Sequence, residues 1–179
     1  MGFGSIGAAP SGSAPTTVYY DRIESRQTYG AAGSQTYTLP AVENMETDTA
    51  CLIFEIDWYA GGGQLQLRVD GVAVNYDFAR ASQAGGAPAW VTAGGTGTAQ
   101  ATMTDATGVN TYNKVFLKIW KFGRHLYYEG SFLLANQTYG YFHGMIAAVL
   151  ATDTISSITV LATVNWNQLR ITPYKVRLV

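Results

Sequence analysis

Hydrophobic and polar positions alternate with a period of two along most of this chain, and stretches with a helical period are nearly absent, which predicts strands throughout. In LQLRVDGVAVNYDF, Leu65, Leu67 and Val69 alternate with polar residues, Val72, Val74 and Tyr76 do so again, and Asp70-Gly71 stands between them. An Asp-Gly pair tolerates the positive φ of a type I′ turn, so this segment predicts a two-residue hairpin. Upstream, Cys51 to Tyr59 places Leu52, Phe54, Ile56 and Trp58 on one face and Ile53, Glu55, Asp57 and Tyr59 on the other, with Gly61-Gly62-Gly63 ending the strand. KVFLKIWKFGRHLYYEGSFLL reads as a second hairpin turning near Gly123-Arg124; Val115, Leu117 and Ile119 face one way, Phe116, Lys118 and Trp120 the other. An antiparallel sheet in a monomer has one polar, wetted face. Aromatic residues on the second face therefore point to contact with something.

Tyr141 to Leu150 and Ile155 to Val164 are expected to form a third pair, and Arg170 to Leu178 to close the chain, with Pro173 marking an edge position or a bulge. Val18 to Glu24 and Gln35 to Leu39 add two strands near the start. Residues 79–108, rich in Gly, Ala and Thr, read as a long loop or a poorly patterned strand near Thr98 to Thr104. Eight or more strands of this kind are buried most simply as an all-β, jelly-roll-like antiparallel sandwich of two sheets. Residues 18–179 form that domain, and 1–17, MGFGSIGAAPSGSAPTT, an extended arm with Phe3 and Ile6 among its few apolar anchors.

Composition sharpens the picture of the surface. Only 13% of the 179 residues are charged, 11 basic against 12 acidic, where an ordinary domain carries about 25%. So even a balance offers no basic track for a nucleic acid. The chain also holds 12 Tyr and 4 Trp, and depletion of charge with enrichment of Tyr and Trp marks interface cores. Much of the outside is thus expected to be covered by other chains. Cys51 is the single cysteine and excludes an intrachain disulfide. The first residues carry no basic start followed by an apolar run, and no stretch reaches the roughly 18 apolar residues of a membrane-spanning helix, so neither export nor a membrane is expected.

Catalytic parts are sparse. His125 and His143 lack a His or Cys at ligand spacing, no G-x-S-x-G elbow occurs, and the glycine-rich stretches lack the Lys-Ser/Thr of a phosphate loop. No cofactor, metal site or catalytic residue is expected. Glycoside hydrolysis asks only for two carboxyls about 5–9 Å apart; Glu55 and Asp57 share a strand face, and Glu129 follows Tyr127-Tyr128. Exposed carboxylates on a strand are more often solvated or ion-paired. Sugar binding without cleavage is a stronger rival: Trp90 in GGAPAW, and Trp166 flanked by Asn165 and Asn167, combine a ring with amides that can bind hydroxyls. The competing reading of both rings is packing.

The order of these motifs resembles the jelly-roll virion proteins of tailed bacteriophages. The resemblance runs from about Val18 to Leu178 and is carried by TACLIFEIDWYAGGGQLQLRV, by NKVFLKIW and by DTISSITVLATVNWNQLRITPYKVRL, which ends in a strand with a late aromatic, Tyr174. It departs where a Gly often precedes that aromatic; here Thr172-Pro173 stands instead. The resemblance implies a homotrimeric structural part of the virion, a capsid decoration or cement subunit or a tail or fibre component. Its partners would be other virion proteins, the major capsid protein or tail parts. The arm, with Phe3, Ile6, Tyr19 and Tyr20, would make the assembly contacts. A glycan-binding tail or fibre module is the alternative, and a small glycoside hydrolase the third reading.

Overall fold

The computed structural model describes residues 20–72, 76–83, 89–93, 99–105, 110–123, 125–135, 137–146 and 153–177. These form twelve strands: β1 (Tyr20–Arg22), β2 (Gln27–Tyr29), β3 (Ala32–Asn44), β4 (Thr49–Gly61), β5 (Leu65–Val69), β6 (Tyr76–Gln83), β7 (Ala89–Ala93), β8 (Ala101–Thr102), β9 (Asn110–Phe122), β10 (His125–Leu133), β11 (Tyr139–Ile146) and β12 (Thr154–Arg177). All pairings are antiparallel, in the order β7-β6-β11-β10-β9-β4-β12-β5-β8, with β1, β2 and β3 on the other edge of β12. The fold class is all-β as expected, with one sheet curled into a nearly closed, barrel-like sandwich in place of two separate sheets.

β12 does the curling. Its first part pairs with β3 on one edge and β5 on the other; from Trp166 onward β4 replaces β5, and β2 then β1 continue the line of β3. Along the strand the buried set changes from even positions, Ile158 and Val160, to odd ones, Leu169 and Ile171, with Trp166 at the change. Such a change of phase requires extra residues in the ladder. The register breaks between Leu161 and Trp166 and again between Trp166 and Gln168. The break expected between Ile155–Val164 and Arg170–Leu178 is thus an irregular bend inside one 24-residue strand, and the expected pairing of Tyr141–Leu150 with Ile155–Val164 does not form. β11 instead lies between β10 and β6.

One further expectation is corrected, and two that left alternatives open are decided. Asp70 and Gly71 take the positive φ of the turn, 48° and 70°, and Val72 N donates to Val69 O at 2.9 Å, yet β5 and β6 do not pair. Between β12 and β8, β5 has no free edge left for β6. Pro173 lies inside the sheet, paired with Phe54. Its missing N–H is tolerated because residues 23–26 bulge opposite Thr172-Pro173, breaking the ladder between β1 and β2. The described residues within 79–108 form most of β6 and all of β7 and β8, and β8 falls where a poorly patterned strand was expected near Thr98 to Thr104.

The inward face reads as the alternation predicts. Leu52, Phe54, Ile56, Trp58, Val115, Leu117 and Ile119 are fully buried against Leu65, Leu67, Val69, Ile158 and Val160, each worth about 1.5–3 kcal/mol of transfer free energy before the entropy of ordering is subtracted. β10 and β11 solve a different problem. Tyr128 stands opposite Gly144, Phe142 opposite Gly130, and Phe132 opposite Gly140. A Cβ at Gly130 would lie 2.5 Å from Phe142 Cζ, and one at Gly140 2.5 Å from Phe132 Cζ, so each ring fills the space its partner glycine vacates. Arg80 of β6, one strand in from the β7 edge, is buried and reaches the β8 end of the sheet. Its Nη1 donates to Thr104 O at 2.7 Å, and its Nη2 pairs with Asp105 at 2.8 Å, just beyond β8.

Candidate functional site

The registers assign which outward side chains share a row on β4, β9, β10 and β11. One row reads Ile53, Lys118, Glu129, His143; the next Glu55, Phe116, Ser131, Tyr141; the third Asp57, Lys114, Leu133, Tyr139; Tyr59 and Tyr112 begin a fourth. At the opposite end stand Trp120 and Tyr127. On a wetted sheet these positions would be polar. Here Phe116, Leu133, Tyr112, Tyr139, Tyr141 and Phe122 are all exposed. Trp120 stacks on Tyr127 at 5.8 Å between ring centroids, and Lys118 lies over Trp120 at 4.8 Å.

Charge on this face is largely cancelled within it. Lys118 Nζ meets Glu129 Oε1 at 3.0 Å. Lys114 Nζ sits 3.6 Å from Asp57 and 3.9 Å from Glu55, and Arg26 is 3.8 Å from Asp57. Two shallow recesses interrupt the face. One, of about 410 Å³, lies among Phe116, Lys118, Glu129, Gly130, Tyr141 and His143. The other, of about 700 Å³, lies among Asp57, Tyr112, Lys114, Leu133, Gln137 and Tyr139, at the β10–β11 turn.

The residues singled out from sequence are scattered. Trp166 is fully buried and its Nε1 donates to Gly30 O at 2.9 Å. Its indole offers no face to a sugar, which corrects the glycan role considered for it; Asn165 and Asn167 are exposed because neighbours along a strand point to the opposite side. Trp90 lies on β7 with its backbone paired to Ala81, its side chain outside the described residues. Phe3, Ile6 and Tyr19 also fall outside them; Tyr20 begins β1, paired through its backbone with Val176. Glu55, Asp57 and Glu129 are ion-paired as above, the ordinary arrangement for strand carboxylates. His143 is exposed, His125 half-buried with Nδ1 unpartnered. Among the described residues no three His, Cys, Asp or Glu side chains are grouped as metal ligands would be. Cys51 is buried, and burial pushes its thiol pKa up, away from reactive thiolate.

Sequence reasoning identified Phe116 and Trp120 as outward aromatics but missed Tyr112, Tyr139 and Tyr141. The signal was present: Tyr112 follows the same even-numbered spacing as Phe116, and Tyr139 and Tyr141 bracket the inward Gly140. No protein-family model matches the chain, and no curated protein matches it. Among solved structures, the VP2 subviral particle of infectious bursal disease virus aligns at 11% identity over 99% of this chain and 46% of that one, with a TM-score of 0.16. The Gx strain of the same virus aligns at 13% identity over 99% and 47%, with a TM-score of 0.14. The chain spans less than half of either, and likeness this slight carries no argument.

Proposed function

We propose that the chain is a non-enzymatic structural subunit of a bacteriophage virion, a homotrimer attached as a capsid decoration or cement subunit through its first 17 residues and its aromatic sheet face. The observation that carries the assembly reading is the outer face of β9 to β11, where Phe116, Phe122 and Tyr141 are exposed at 43%, 74% and 65%. Large exposed aromatic side chains on one sheet face mark contact with another macromolecule, and the Lys118–Glu129 pair, in contact at 3.0 Å, keeps its mutual hydrogen bond when the face is covered. The particle itself comes from the resemblance of the strand motifs to phage virion proteins, which the low charge and the uncharged arm accompany.

The test compares the wild-type chain, the Phe116→Lys/Tyr141→Lys variant, and a chain without residues 1–17. Each is measured by sedimentation velocity and by retention on particles purified from the source. Wild type should sediment as a trimer and co-purify with particles; the double variant should keep its far-UV circular dichroism and lose association, and the shortened chain should be released. A wild-type chain that sediments as a monomer and is missing from every particle would overturn the proposal.

A further inference from the structure

We propose that the recess at the β10–β11 turn is a binding site for a neutral glycan, gripped through a pair of neighbouring hydroxyls by Lys114 and Asp57. It goes beyond the assembly reading and does not depend on it, since it uses a different part of the face.

Lys114 Nζ is 3.6 Å from Asp57 Oδ1 and 3.9 Å from Glu55 Oε2, and Arg26 Nη2 is 3.8 Å from Asp57 Oδ2. Each separation gives Coulomb attraction but exceeds the roughly 3.2 Å limit of a good N–H···O bond. A donor and an acceptor therefore stand side by side with their hydrogen-bonding capacity unspent on each other. A hydroxyl both donates and accepts, so in a vicinal diol one oxygen accepts from Lys114 while its neighbour donates to Asp57. Covering this pair with an apolar protein surface would strip its water and return nothing. Sugar hydroxyls replace the lost water.

The rest of the recess suits the carbon skeleton of a pyranose. Tyr112, Leu133 and Tyr139 remain exposed at 60%, 58% and 48%, yet the two rings are held. Tyr112 lies 4.9 Å from Tyr59 between centroids, with Arg170 5.9 Å away, and Tyr139 Oη donates to Gln83 Oε1 at 2.7 Å. Pre-set rings cost less to immobilise when a ligand arrives. Gln137 completes the wall. Its φ is 67°, a left-handed conformation in which glycine is at ease and other residues are strained, and its amide side chain is exposed beside the recess. An exposed long side chain kept at a glycine position is a polar group held where a ligand can use it.

The experiment screens the purified full chain on a printed array of neutral and acidic oligosaccharides. Saturation-transfer NMR with free glucose, galactose, mannose and N-acetylglucosamine follows, and then titration calorimetry of the best hit. Wild type should bind neutral glycans; Tyr112→Ala/Tyr139→Ala should weaken the best hit by about tenfold or more, the loss of roughly one good contact. Gln137→Gly guards against misfolding, because it relieves backbone strain: its Tm should equal or exceed wild type while glycan affinity falls several-fold. The absence of both an array signal and saturation transfer at millimolar sugar would overturn the proposal, as would hits indifferent to Gln137→Gly and the tyrosine changes. Loss of particle attachment or self-association in Tyr112→Ala/Tyr139→Ala, with no sugar bound by wild type, would also overturn it by assigning the recess to a protein contact.

Discussion

Alanine at Gly144 tests the inward packing of β10 and β11 directly. A Cβ there would lie 2.0 Å from Asp77 O, 2.2 Å from Tyr128 Oη and 2.5 Å from Tyr128 Cζ. The same two oxygens form a hydrogen bond in which Tyr128 donates to Asp77 O at 2.6 Å. The methyl thus enters a space already filled by a buried bond and cannot be accommodated by moving a flexible chain end, since one neighbour is backbone. Overpacking of this kind costs about 1–3 kcal/mol, and separating the phenol from its acceptor adds about 1–2 kcal/mol. The sum, about 2–5 kcal/mol, corresponds to a fall in Tm of roughly 5–15 °C for a chain of this length. Thermal unfolding followed by circular dichroism is the assay. Tyr128→Phe alone should cost about 1 kcal/mol, and adding it to Gly144→Ala should recover only part of the loss, because the contact with Asp77 O persists. Gly30→Ala, with nothing within 4 Å of the new Cβ, is the control and should be neutral or slightly stabilising. A Gly144→Ala chain melting within a degree or so of wild type would refute the reasoning.

Asp70→Ala should lower stability by about 2–3 kcal/mol in urea unfolding without changing the m-value, because Asp70 Oδ1 accepts from Ser156 N, Ser156 Oγ and Ser157 N at 2.8, 2.8 and 2.7 Å. At alkaline pH the chain should unfold steeply. Burial pushes the Tyr76 hydroxyl up to about 12 and raises Tyr128 and Tyr37, the last also through its hydrogen bond to Glu24. These phenols ionise near 10 in the unfolded chain, so stability present below about pH 10 is lost as pH rises above it. Absorbance at 295 nm should show these three of the 12 tyrosines ionising only as the circular dichroism collapses. Lys121 hydrogen-bonds Asp153 and Glu46; this raises its own pKa and holds the Asp153 carboxyl below the usual range. The Asp153 contribution is therefore present above about pH 4 and lost as acid protonates it, and that of Lys121 is lost only above about pH 10. The Tm difference between wild type and Lys121→Met should stay constant from about pH 5 to 9 and shrink toward about pH 2.

What was legible in the sequence was what neighbours along the chain decide. The β9–β10 hairpin turns between Phe122 and His125, which stand opposite each other, and β4 buries the face its alternation names. What was not legible depends on residues far away. Asp70-Gly71 forms its turn, yet whether the chain doubles back on β5 depends on β12 and β8 holding both edges of that strand. Asn165 and Asn167 look like turn residues because they are polar and flank a tryptophan; inside β12 they lie at the bend where the strand leaves β5 for β4. The carboxylates Glu55 and Asp57 were found by their spacing, but Lys114, which decides their state, stands across a strand pair 57 positions from Asp57.

The glycines of β10 and β11 link the inside of the sheet to its outside. Gly130, Leu117 and Phe142 occupy the inward row, yet they line the outward depression beside Phe116 and Tyr141. A strand position without a side chain leaves the sheet thin there, so the ring that fills the space from within also forms the floor seen from without. Substitution at Gly130 would therefore act twice, displacing Phe142 from its place 2.5 Å from the new Cβ and reshaping the recess above it. Phe116 and Tyr141, which point away from the core, can be changed without touching that packing. Loss of association on replacing them, with Tm unchanged, thus reports on the face alone, whereas the same loss on replacing Gly130 would report on the fold.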